Sequence, residues 1–180
     1  MERNLAFIAL FAALIAALGL IPKFTLAFGV PITAQTMGVM LCGTVLGARR
    51  GALAVLLFLA LVALGLPLLA GGRGGLGVFA TPSVGFLLGW PVAAFVTGLI
   101  VERWNGPLAL VASVASVIGG IAALYVFGII GLAVMLDKTL VQSALLVTAF
   151  IPGDVIKAVF AGLITSGLAR SRPASLLSRS

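Results

Sequence analysis

Apolar residues come along this chain in long unbroken runs, not in the strict alternation of a half-buried strand. Six runs stand out: Leu5–Ile21, Ile32–Gly47, Ala52–Ala70, Val84–Val101, a stretch that begins near Pro107 and fades toward Leu136, and Pro152–Leu168. About 20 helical residues at roughly 1.5 Å each cross a bilayer core, and the shorter runs reach across with slight local thinning. Each run therefore predicts a membrane-spanning helix. A transmembrane barrel would show short alternating segments, and these do not dominate here. The first run is followed directly by Pro22-Lys23-Phe24 with no convincing cleavage site, so it reads as a span and not as a signal peptide.

The region Ile129–Ile151 is the hardest to place. Thr139–Ile151 is apolar but too short to cross, which fits an interfacial or re-entrant piece. Charge decides the count. With six spans and an inside N-terminus, Arg3, Arg49, Arg50, Arg103, Arg170, Arg172 and Arg179 fall inside. Lys23, Arg73 and Lys138 fall outside, and Lys157 lies within the last span. That asymmetry follows the positive-inside rule, whereas a seventh span would export the last three arginines. The expectation is an all-α membrane protein with six transmembrane helices and cytoplasmic N- and C-termini. One domain covers residues 1–170, and a Ser/Arg-rich segment, 171–180, forms a flexible cytoplasmic tail.

Composition agrees. Of 180 residues 62% are hydrophobic and 8% charged, against about 25% charged in ordinary soluble domains, so lipid must solvate much of the surface. The mean hydropathy is +1.32. A net charge of +7 invites a nucleic-acid partner, but the basic residues are scattered one or two at a time between apolar runs. No nucleic acid is expected. With no histidine and a lone Cys42, the usual zinc and haem ligand sets are missing and no internal disulfide can form.

Against this background a few polar residues stand out. In Phe150-Ile151-Pro152-Gly153-Asp154-Val155-Ile156-Lys157, proline suits a first helical turn, and Asp154 and Lys157 share one helix face three residues apart. Charges at membrane depth cost at least a few kcal/mol each and by default mark a functional site. The bland alternative is an N-terminal acid paired with its neighbour, and both can hold together. Gly71-Gly72-Arg73-Gly74-Gly75-Leu76-Gly77 contains a formal GxGxxG, but no strand or βαβ unit surrounds it, so a dinucleotide site is excluded. Its glycines allow close backbone approach to a ligand, with Arg73 in reach of an anion. Thr33 and Gln35, in Pro31-Ile32-Thr33-Ala34-Gln35, add donors and acceptors at the same outer level. Ala9, Ala13 and Ala17 recur every four residues, a spacing that lets membrane helices approach closely, whether for internal packing, lipid or a partner. Trp90 and Trp104 suit membrane-interface positions or packing.

In their order along the chain, Pro31–Gln35, Gly71–Phe86 and Phe150–Lys157 resemble the BioY family, the biotin-specific S components of energy-coupling-factor (ECF) transporters. Where the family commonly shows Gly-Pro-Thr-Gly-Gly-Tyr, this chain has Thr81-Pro82-Ser83-Val84-Gly85-Phe86, with Ser83 in place of the threonine and no phenol at Phe86. The resemblance implies the six-helix S-component fold in a bacterial inner membrane. It also implies an outward-facing biotin site built on Asp154 and Lys157, with further contacts from Arg73, Gln35, Thr33 and Ser83. The loop of about Pro22–Val30 would form a lid, and Ala9, Ala13 and Ala17 would face the ECF transmembrane coupling protein. ATP-binding cassette ATPases would supply the energy, since this chain has no nucleotide motif. Biotin is then cargo, and no cofactor is expected. The competing readings are an S component for another vitamin, an intramembrane enzyme using Asp154 and Lys157 as acid and base, and a membrane scaffold with no small-molecule ligand.

Overall fold

The computed structural model describes residues 2–179, and they form a bundle of helices with one small β-ribbon. The helices are α1 (Glu2–Leu18), α2 (Gln35–Leu46), α3 (Ala48–Ala63), α4 (Val84–Arg103), α5 (Leu108–Val117), α6 (Leu124–Met135), α7 (Leu140–Val147) and α8 (Ile151–Ser171). Strands β1 (Phe24–Thr25) and β2 (Pro31–Ile32) pair antiparallel in the loop after α1.

Burial sorts the helices. In α2 every residue from Gly38 to Leu46 is buried, so this helix forms the centre. α4 lies against α2, α3 and α6, while α8 lies along α5 and α1 along α3. Leucines, valines and isoleucines on the outer faces of α1, α3, α6 and α8 remain exposed, including Leu10, Leu53, Val134 and Ile156. Such a girdle has no place in water and is what lipid-facing helices require. Three helical stretches are long and apolar enough to cross a bilayer: Val84–Arg103, Leu108–Met135 and Leu140–Ser171.

Several expected spans change shape. The second, Ile32–Gly47, is helical only from Gln35, because Pro31–Ile32 pairs with the preceding strand. Its 12 helical residues give about 18 Å, less than a bilayer core. The third starts earlier and stops at Ala63; the rest of its apolar run, Leu64–Ala70, is loop. The fading fifth run is one continuous rod from Leu108 to Met135, widened into a π-turn at Ile118–Ala123. There a side chain on Gly119 would strike Thr97 and the Ala93 carbonyl of α4, so only glycine lets the two helices meet. The short piece near Thr139 is α7, opened by a capping box between Thr139 and Gln142 and joined to α8 by a turn at Thr148–Phe150.

At the end of the bundle where α2 turns into α3, polar groups knot the chain together. Gly47 makes the turn at φ +86°, and Glu102 Oε1 accepts from Ala48 N at 2.8 Å, placing an acid on the N-terminus of α3. Arg50 donates to Asn4 Oδ1 and to the Leu177 carbonyl, at 3.4 and 3.2 Å. The segment expected as a flexible tail packs beside this knot. Residues 173–175 and 177–179 form 3₁₀ turns docked under the bundle. Leu177 is 1% exposed, Ser178 Oγ donates to Thr44 O at 2.6 Å, and Arg179 donates to Trp104 O at 2.7 Å. Two leucines, Leu176 and Leu177, outweigh the polar composition that suggested fraying.

Candidate functional site

At the opposite end, the N-termini of α2 and α8 lie side by side. Pro152 occupies the first turn of α8, where its missing N–H costs nothing, and the turn carries Asp154 inward to 4% exposure. Lys157, on the same face, places Nζ 2.9 Å from Asp154 Oδ1. Nζ also donates to Thr36 Oγ1 at 3.0 Å, so a residue of α2 completes the cluster. The other carboxylate oxygen, Oδ2, accepts from the Tyr125 hydroxyl at 2.8 Å. Asp154 is thus held by groups from two further helices, which fixes its rotamer before any ligand arrives.

This cluster forms part of the wall of a narrow cavity of about 50 Å³. Apolar walls come from Leu69, Phe86, Leu87, Trp90, Leu124 and Phe150. Asp154, Lys157, Arg73, Gln35, Thr33 and Ser83 all line this one cavity, although they come from four separate segments of the chain.

Their surroundings differ. Gln35 is 1% exposed and its amide is fully used: Nε2 donates to Ile15 O and Leu68 O, and Oε1 accepts from Ala70 N at 2.9 Å. It bolts the end of α1 and the glycine-rich loop to α2. Thr33 Oγ1 accepts from Gln35 N at 3.3 Å, and the Ser83 hydroxyl lies 2.8 Å from Thr81 Oγ1. Arg73 donates through Nε to Ala70 O, and partial burial pulls its guanidinium pKa below the ordinary value.

The β1–β2 loop covers the cavity. Val30 and Ile32 line it, and the Phe28 ring meets Phe150 edge-on at 5.9 Å. Phe150 in turn meets Phe86 at 5.5 Å, and Phe86 meets Tyr125 at 6.4 Å, so an aromatic chain runs from the loop to the ring that holds Asp154. Phe86 lacks a hydroxyl; the phenol at the site belongs to Tyr125, the chain's one tyrosine.

Sequence reasoning missed Thr36, Tyr125 and Trp90. Thr36 adjoins Gln35 in a visible polar cluster, and a lone tyrosine in an apolar run is itself a signal, because a buried hydroxyl needs a partner. Trp90, expected at a membrane interface or in packing, is buried on the cavity wall beside Phe58, and its indole N–H has no acceptor among the described residues. Ala9, Ala13 and Ala17 face outward and are exposed, while Ala12 and Ile15 face the core, so the alanine stripe does not serve internal packing. Among the described residues there is no cluster of three potential metal ligands.

The sequence pattern of the BioY family matches residues 2–174. The biotin transporter BioY of Rhodobacter capsulatus is 53% identical over 189 residues, covering 99% of this chain and 100% of that protein. The probable biotin transporter BioY of Bacillus subtilis is 43% identical, covering 87% of this chain and 85% of its own. A crystal structure of the S-component for biotin from an ECF-type ABC transporter superposes with a TM-score of 0.89 at 32% identity, over 94% of this chain and 92% of that one.

Proposed function

Because this chain belongs to the BioY family, we propose that it is a membrane-embedded S component that captures biotin for uptake. The observation that carries this reading is the convergence of six polar side chains, from separate segments, on one apolar-walled cavity centred on Asp154 and Lys157. Biotin combines a ureido ring with two N–H donors, an apolar thioether ring and a carboxylate. Asp154 retains lone pairs to accept ureido N–H bonds while Tyr125 and Lys157 hold it in place. The rings of Phe86, Trp90 and Phe150 offer the apolar surface that the thioether ring needs. The relatives bear transporter names, so the reading of Asp154 and Lys157 as the acid and base of an enzyme is set aside.

In this reading the cavity opens to the outside of a bacterial inner membrane, and the polar knot at the other end lies in the cytoplasm with both termini. Six helical passes cross the bilayer. The S component pairs with an ECF coupling protein through the exposed Ala9, Ala13 and Ala17 face, where small side chains allow close helix approach. Cytoplasmic ATPases drive its reorientation, which delivers biotin inward.

The test is equilibrium binding by purified protein in detergent. Wild type binds biotin saturably, and Asp154→Asn or Lys157→Ala weakens binding by about a hundredfold, since each leaves a buried charged partner unpaired. Undiminished affinity in both variants rejects the site. Preference for a different vitamin rejects the cargo.

A further inference from the structure

Helices α2 and α8 lie against each other and are joined by side-chain hydrogen bonds at two levels. At the cavity, Lys157 Nζ donates to Thr36 Oγ1 at 3.0 Å. Deeper in the bundle, Thr165 Oγ1 lies 2.8 Å from Thr44 Oγ1, and both threonines are completely buried. The spacings match. Eight residues separate Thr36 from Thr44 on α2, and eight separate Lys157 from Thr165 on α8. Eight residues rise about 12 Å along a helix, so the two helices carry a pair of rungs in one common register. Neither Thr44 nor Thr165 lines the cavity.

The surface between the rungs is smooth. The residues of α8 buried between Lys157 and Thr165 are Ala158, Ala161 and Gly162. Small side chains let helices approach closely, but they offer no knob to stop one helix sliding along the other. Directional bonds must then set the register. The lower rung is built for this. Thr165 Oγ1 also lies 2.7 Å from Ala161 O, which fixes its rotamer. Thr44 O belongs to the last turn of α2, whose carbonyls lack partners within the helix, and Ser178 Oγ donates to it at 2.6 Å. Ser178 is itself buried, and Arg50 holds the neighbouring Leu177 carbonyl. The segment after α8 therefore anchors the far end of the same helix that presents Thr36 to the cavity.

We propose that Thr44, Thr165 and Ser178 are positioning residues for the cargo site: they lock α2 against α8 in the register that keeps Thr36 within reach of Lys157. This rests on biotin being the cargo. A bond from Lys157 tolerates little displacement, because N–H···O bonds weaken outside about 2.7–3.2 Å. Loosening the lower rung loosens the upper one, and the Asp154–Lys157 pair then loses the α2 contact that steadies its lysine.

The experiment is a double-mutant cycle on biotin affinity, measured with the full chain in detergent, with Thr36→Val and Thr165→Val as its two arms. Valine keeps the branched shape and removes the hydroxyl. Thr165→Val alone weakens biotin binding by about three- to tenfold, and Thr165→Ser, which keeps the hydroxyl, binds more tightly than the valine variant. In the Thr36→Val background Thr165→Val costs less than about twofold, because the rung it supports is already gone. Equal losses in both backgrounds overturn the proposal. So does a serine variant no better than valine, or a Thr165→Val protein that melts earlier yet binds biotin as wild type does. If Thr165→Val does not fold, Ser178→Ala replaces it as the second arm, and equal losses in the two backgrounds again overturn the proposal. Wild type that binds no biotin rejects the cargo assignment and the positioning role together. Wild type that binds biotin no better than the Thr165→Val and Ser178→Ala variants rejects the positioning role alone.

Discussion

An aspartate inside an apolar bundle is held in one orientation only if each of its oxygens has a partner, and Asp154 meets that condition through Lys157 on its own helix and Tyr125 on another. A hydrogen bond to a charged group contributes about 1.5–3 kcal/mol, so Tyr125→Phe should weaken biotin binding by roughly ten- to a hundredfold. Fluorescence titration with biotin checks this, and unchanged affinity means the carboxylate needs no such support. The site was legible in sequence where cost made it so. Asp154 and Lys157 declared themselves because ionisable groups are expensive in lipid, and Arg73 because it interrupts a run of glycines. Thr36 and Tyr125 matter through partners 121 and 29 residues away, and Trp90 through the cavity wall, and no local pattern encodes that proximity.

The helices themselves were legible because long apolar runs have few alternatives in a bilayer. Their ends were not. Leu64–Ala70 is apolar enough for helix, yet Gly65 at φ +105° and Pro67 release it into a loop that Gln35 then captures through Leu68 and Ala70. The tail shows the same limit: its composition suggests fraying, but two leucines find a buried seat under α2 and α4. Leu177→Asp should therefore destabilise the protein by about 3 kcal/mol or more, through lost burial and a carboxylate with nowhere to go. A thermal shift measured in detergent tests this, and an unaltered melting temperature would mean that the docked tail contributes nothing.

At the scale of the whole molecule, the bundle keeps its chemistry at its two ends and its lateral surface oily. One end gathers the cavity and its charges; the other ties α3, α4 and the tail together through Glu102, Arg50 and Arg179. Arg50 grips Asn4 with one amino group and the Leu177 carbonyl with the other, so the beginning and the end of the chain share a single guanidinium. A path that returns to its starting face must cross an even number of times, whatever the tilt or length of each pass. Reporter enzymes fused to the first residue and to the last should accordingly glow, or stay dark, in unison; opposite signals would mean that the thread leaves by the far door.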